Sequence, residues 1–273
     1  MPFAVAVLPL LIAIAPAGER HFAPPCDQAI GFMIETLRDD GTGPRRFVAQ
    51  RTLTFDCTDR GYVAVLRQRS SSATGSGDGA AASATMFDRA MAGLAGIALR
   101  FDVGRDGRIA GAENADDAWA QIAAGIDRMG AARAARPSRT HGFAEAMRRV
   151  PANDRQRMLV SMVAPLIAPV DTSQPARRVV SVPVTGANGE TIALGGVSVR
   201  ERVGDRLWRT TTVVTGTVPG ASPGSDIAVR LTTTTEVDAA TGLLVRQTEE
   251  TTRARASAPD SVLSRTRTTI RQN

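Results

Sequence analysis

The chain has 273 residues, 43% of them hydrophobic, and a net charge of +6, enough for a buried core built without a metal. All 33 basic residues are arginine, and they are interleaved with acids. This argues against a nucleic-acid protein, which concentrates its basic residues on one face.

The arginine bias reads first as codon usage in a GC-rich genome. An arginine surface selected to recognise phosphate or carboxylate is the sharper alternative. With only 4% aromatic residues, the core must be built from Ala, Val, Leu, Ile and Met.

Residues 1–17 form an uncharged apolar run ending in Ala15-Pro16-Ala17. That is the pattern of a secretory signal, cleaved after Ala17, and it is short for a membrane span. The expected mature protein is a single domain over 18–273, periplasmic or secreted. An even cysteine count in an exported chain implies a disulfide between Cys26 and Cys57.

Two strands are expected at Ala29–Leu37 and Arg46–Asp56, and a return strand at Tyr62–Gln68 after the turn Asp59-Arg60-Gly61. Residues 70–85, SSSATGSGDGAAASAT, read as a flexible loop with too little apolar surface to offset the entropy of ordering. Met86, Ala90, Leu94 and Ile97 recur at helical spacing. A hairpin around Asp106-Gly107 follows. Asn114 is placed to cap a helix carrying Trp119, Ile122, Ile126 and Met129 on one face. Further helices are expected near Phe143–Val150 and from Asn153 through Met158, Met162 and Leu166.

From Arg178 onward the pattern is strand after strand, near 178–185, 190–203, 206–218, 226–238, 242–255 and 261–271. Asn188-Gly189 is the strongest turn signal. Ile227, Val229, Leu231, Thr233, Thr235 and Val237 alternate with polar neighbours, the rhythm of a sheet with one buried face. The expected class is α+β: a curved antiparallel meander with several helices packed on its concave face.

Segment 102–113 has the length of an EF-hand loop, with Asp102, Asp106, Gly107 and Glu113 at ligand or turn positions. Gly104, however, supplies no ligand oxygen, and Arg105 is a poor neighbour for a cation. A hairpin is the better reading, because Asp-turn-Gly between apolar residues also occurs at 56–62 and 238–243. His21 and His141 are the only histidines, and no nucleophile motif, zinc spacing or phosphate loop accompanies them. No catalytic, cofactor or metal residue is assigned. Glu249 and Glu250 are adjacent, so on a strand they face opposite sides. Trp119, Met129, Met158, Met162 and Trp208 are the candidates for lining an apolar cavity, against the alternative of plain core packing.

An early Cys, the FD…DGRI hairpin followed by NADDAW, and the closing VDAATGLLVRQTEE resemble uncharacterised exported bacterial proteins. More weakly, the order of elements is similar to the half-barrel carriers that shuttle lipoproteins across the periplasm. Their fold implies a curved sheet lidded by helices over an apolar cavity. The resemblance transfers no site residue. The expected function is a non-enzymatic envelope protein that binds a lipid or another apolar small molecule between sheet and helices, with arginines at the mouth meeting an anionic headgroup. The alternative is a structural or interaction module with an envelope protein partner.

Overall fold

The computed structural model describes residues 22–41, 43–76, 93–131, 145, 147–185, 190–220 and 225–273. The expected signal segment 1–17, His21, His141 and the Asn188-Gly189 turn lie outside them.

Alternating sequence folds into long strands. β1 (Ile30–Asp39), β2 (Arg45–Thr58), β3 (Gly61–Gly75), β4 (Ala98–Gly104) and β5 (Ile109–Ala112) form a first meander. Two helices follow, α1 (Ala115–Ala131) and α2 (Ala152–Val163), with a 3-10 turn at Ala164–Leu166. β6 (Arg177–Thr185), β7 (Thr191–Val203), β8 (Leu207–Val218), β9 (Ile227–Asp238), β10 (Leu244–Arg255) and β11 (Ala258–Gln272) form a second meander. All eleven strands join in one sheet, in the order β5-β4-β3-β2-β1-β11-β10-β9-β8-β7-β6. The seam between the meanders is the antiparallel pair β1–β11, in register from Phe32↔Gln272 to Asp39↔Arg265.

The expected α+β class gives way to a mostly β fold, and the expected array of several helices to two short ones among the described residues. The strands run longer than the alternation alone indicated. β3 continues through Gly75, so residues 70–75 of the expected loop pair with β2; residues 77–85 lie outside the described set. Residues 86–92 of the expected helix over 86–97 lie outside the described set, and Gly93–Gly96 form a turn. Gly96 adopts φ +81°, a left-handed conformation that suits glycine. Leu94 and Ile97 still anchor in the core. Asn114 does not cap α1 with its side chain. Its amide instead accepts from the Arg100 N–H at 3.0 Å and donates to the Ala98 carbonyl at 2.8 Å, tying the helix start to β4.

Register places one set of side chains on an inner face. The larger core lies there: Ile30, Phe32, Leu53, Phe55, Leu66, Leu99 and Phe101 from the first meander, with Leu244 and Ile270 from the second. Ala118, Trp119 and Ile122 of α1 and Leu159 and Val163 of α2 close over it. Arg51 also lies under α2. It donates to the Met162 carbonyl at 3.1 Å and to the Gln68 amide oxygen at 3.1 Å, a cation at a helix C-terminus. Burial pushes its guanidinium down to about 10. A smaller core on the same face joins Val184, Leu194, Val214, Val218, Val229 and Leu231.

The turns share one device with different acceptors. Thr58 Oγ1 accepts from Arg60 and Gly61, Asp106 from Arg108, and Asp238 from Ala240 and Thr241. Segment 102–113 is the β4–β5 hairpin, and its Asp106 and Glu113 pair with Arg108 and Arg100.

Cys26 and Cys57 form the disulfide, bridging a separation of 31 residues. It pins the lead-in to β2, where Phe22 meets Phe55 and Tyr62 edge-to-face. The chain-entropy model gives such a closure about 3–4 kcal/mol. The double variant Cys26→Ser/Cys57→Ser is expected to lose about that much in a urea denaturation, with the sheet retained by circular dichroism. A loss under about 1 kcal/mol contradicts this account of the bridge.

Candidate functional site

The space between helices and sheet is filled. Phe32, Leu53, Phe55, Leu66, Phe101, Leu159 and Val163 are all less than 2% exposed there. The expected cavity residues divide accordingly. Trp119 is buried in this core and its Nε1–H donates to the Met147 carbonyl at 2.7 Å. Met162 packs against the same core, while Met158 on α2 is 40% exposed. Trp208 lies on β8, in the other half of the sheet, with the Arg200 and Arg202 guanidiniums at 5.4 and 5.5 Å from its ring centre. Arg200 also donates to the carbonyls of Asp171, Thr172 and Gln174, clamping the loop before β6. Met129 is in α1, but its side chain lies outside the described set. The structure thus brings Trp119 and Met162 together and leaves Met158 and Trp208 apart from them.

A half-buried polar part of the inner face lies between the two cores. Thr36, Thr268, Glu249, Thr233, Thr212 and Ser198 are successive cross-strand partners over β1, β11, β10, β9, β8 and β7. Cross-strand neighbours on one face lie close enough to bond. Thr36 and Thr268 share a hydrogen bond of 3.0 Å, and the Thr212 hydroxyl donates to Ser198 at 3.0 Å. The next row on one side is Ile34, Ile270, Gln247, Thr235, Thr210 and Arg200; on the other it is Arg38, Thr266, Thr251, Leu231, Val214 and Gly196. A row of hydroxyls, interrupted on β10 by Glu249, therefore runs across six strands, flanked by polar residues together with Ile34, Ile270, Leu231 and Val214.

Glu249 is the carboxyl of that strip. Among the described residues it has neither an ion pair nor a hydrogen bond. Burial pushes its carboxyl above the ordinary value, because a carboxylate loses solvation there without a compensating charge. Its neighbour Glu250 faces the outer side and meets Arg265 at 3.5 Å, as strand alternation requires. At one end of the strip Arg38 and Arg253 stand on the same face. Burial, then the charge of Arg38, lowers the Arg253 guanidinium from its ordinary value.

Sequence alternation placed Glu249 on a strand, but its surroundings depend on register across the β1–β11 seam, which no local pattern encodes. The four threonines and the serine of the central row were visible only as composition.

Among the described residues no helix is long and apolar enough to cross a membrane, and no cluster of His, Cys, Asp and Glu could hold a metal. The disulfide is compatible with an extracellular or periplasmic location. No protein-family model matches the chain, and no curated protein matches it.

The raised Glu249 carboxyl has a signed consequence. Its folded value lies above its unfolded one, so its contribution to stability is full below the ordinary glutamate range and is lost as pH rises through the folded value. Glu249→Gln, neutral at every pH, is expected to raise the melting temperature at neutral pH and to match the parent near about pH 4. An equal difference at both pH values refutes a desolvated carboxyl.

Proposed function

We propose that this is a non-enzymatic protein of the periplasm or the extracellular space that carries an amphiphilic, lipid-like ligand on the open inner face of its sheet. The observation that carries the reading is the half-buried row of hydroxyls around Glu249, which lies between two apolar cores and beyond Leu244 and Ile270 of the core that α1 and α2 close over. A polar group would bond to the threonines and to a protonated Glu249, and an acyl chain would enter by parting the buried side chains of Leu231, Val214 and Ile270.

Curvature favours this reading. Cα atoms of β6 and β8 come within 8 Å, whereas two strand spacings of a flat sheet measure about 9.6 Å. Gly196 permits the bend, since a Cβ there would meet the Val213 carbonyl oxygen at 2.1 Å. The uncharged apolar run over 1–17 has the pattern of an export signal, which supports the reading together with the disulfide.

A second reading, an interaction module, has its own observation. β6 is an edge strand of nine residues with Val179 86% exposed, a template for strand addition. Pro183 within it removes one donor and limits such pairing.

Organic extraction of the natively purified protein, followed by mass spectrometry, is expected to recover a lipid. An apolar fluorophore is expected to bind the emptied protein. Thr233→Trp, which fills the strip, should weaken that binding about tenfold or more with the melting curve preserved. No lipid and no fluorophore binding overturns the carrier reading. A single crosslinked protein partner at β6 would put the interaction module in its place.

A further inference from the structure

A second concavity lies at the far end of β1 and β2, mainly on the outer face. The groove has a volume of about 660 Å³. Arg38, Arg45, Arg46, Arg265 and Arg267 line it, against the carboxylates of Asp39 and Glu250. Register explains the gathering, because Thr74, Arg46, Leu37, Arg267 and Glu250 are successive cross-strand partners from β3 to β10. Five arginines of β1, β2 and β11 therefore line one depression, Arg46, Arg265 and Arg267 from the outer face and Arg38 and Arg45 from the inner-face side of the strand ends, although in sequence they lie in two segments more than 200 residues apart.

The arginines are only partly neutralised. Arg46 bonds to Glu35 at 2.5 Å and Arg38 to Asp40 at 3.2 Å. Arg45 also pairs with Asp40, yet it is 9% exposed and its buried Nε–H has no acceptor among the described residues. Arg267 has no ion-pair partner among them. A buried donor without an acceptor is costly. The floor is apolar, with Leu37 44% exposed beside Pro44. Gly43 shapes the rim. Its φ is +111°, and a Cβ there would meet the Ser76 carbonyl oxygen at 2.2 Å, so the end of β3 seats directly on the turn.

We propose that this groove binds a phosphate group carried on an organic skeleton. A phosphate offers several oxygens to planar guanidinium forks and balances more than one positive charge. The exposed Leu37 and Pro44 accept the carbon portion. The site lies at the strand ends, with Arg46, Arg265 and Arg267 on the outer face and Arg38 and Arg45 at the inner-face side of the same end, and it does not depend on the carrier reading of the threonine row. A phospholipid headgroup and a soluble phosphate ester share this chemistry.

Two probes separate these sources: inorganic pyrophosphate by titration calorimetry, and vesicles of phosphatidylglycerol in phosphatidylcholine by co-sedimentation, with pure phosphatidylcholine as blank. At least one probe is expected to bind. Arg265→Gln/Arg267→Gln should weaken that binding about tenfold or more, while Arg60→Gln/Arg177→Gln, an equal loss of charge elsewhere, should leave it unchanged. Leu37→Glu, which keeps every arginine, should also abolish binding. Binding to vesicles alone assigns the phosphate to a headgroup; binding to pyrophosphate assigns it to a soluble ligand. No binding to either probe, or the same loss in both double variants, overturns the proposal.

Discussion

The pairing of β1 with β11 is the constraint on which the rest of the molecule depends. It joins the first meander to the second, with residues some 230 positions apart in register: Thr36 with Thr268, |i−j| = 232. Loop closure grows only slowly with length, so the equilibrium cost of this contact is modest. Its kinetic cost is larger, since non-local antiparallel pairing must wait for distant segments to meet. Without the seam, β1 and β11 would both be open edges. With it, the edges are the four-residue β5 and the proline-bearing β6, the short or guarded kind that resists edge-to-edge association.

Both surface features follow from that seam. On the inner side it brings Thr36 to Thr268 and so continues the hydroxyl strip from β1 into β10, with Glu249 at its centre. On the outer side it sets Leu37 against Arg267 and so draws the arginines of β1 and β2 to those of β11. A slip of one residue would exchange the two faces. Hydroxyls would then face outward, and Thr269 and Arg271 would stand in the core beside Phe32. The apolar cost of that exchange holds the register.

The helical layer has a narrower role than a lid over a cavity. α1 and α2 complete a packed core over the first meander, and Arg51 and Asn114 fasten them to β2 and β4 by hydrogen bonds to backbone and amide groups. The second meander needs no helix over its smaller core, because its bent edge folds Val182, Leu194 and Val214 toward one another on the inner face. The described residues carry two short helices in place of the expected several, and Leu94 and Ile97 anchor in the core from the turn and the lead-in to β4.

By itself the sequence determined the strand boundaries of the second meander to within about three residues, the β4–β5 hairpin, the cysteine pair and the opposite facing of Glu249 and Glu250. These rest on local signals, namely a two-residue period, turn residues and a cysteine count. The strand order, the hydroxyl row around Glu249 and the arginine groove at Arg46 and Arg267 were decided only by tertiary structure. Each depends on which distant strands pair and in what register, and alternation within a strand says which side chains share a face but not which neighbours they will meet.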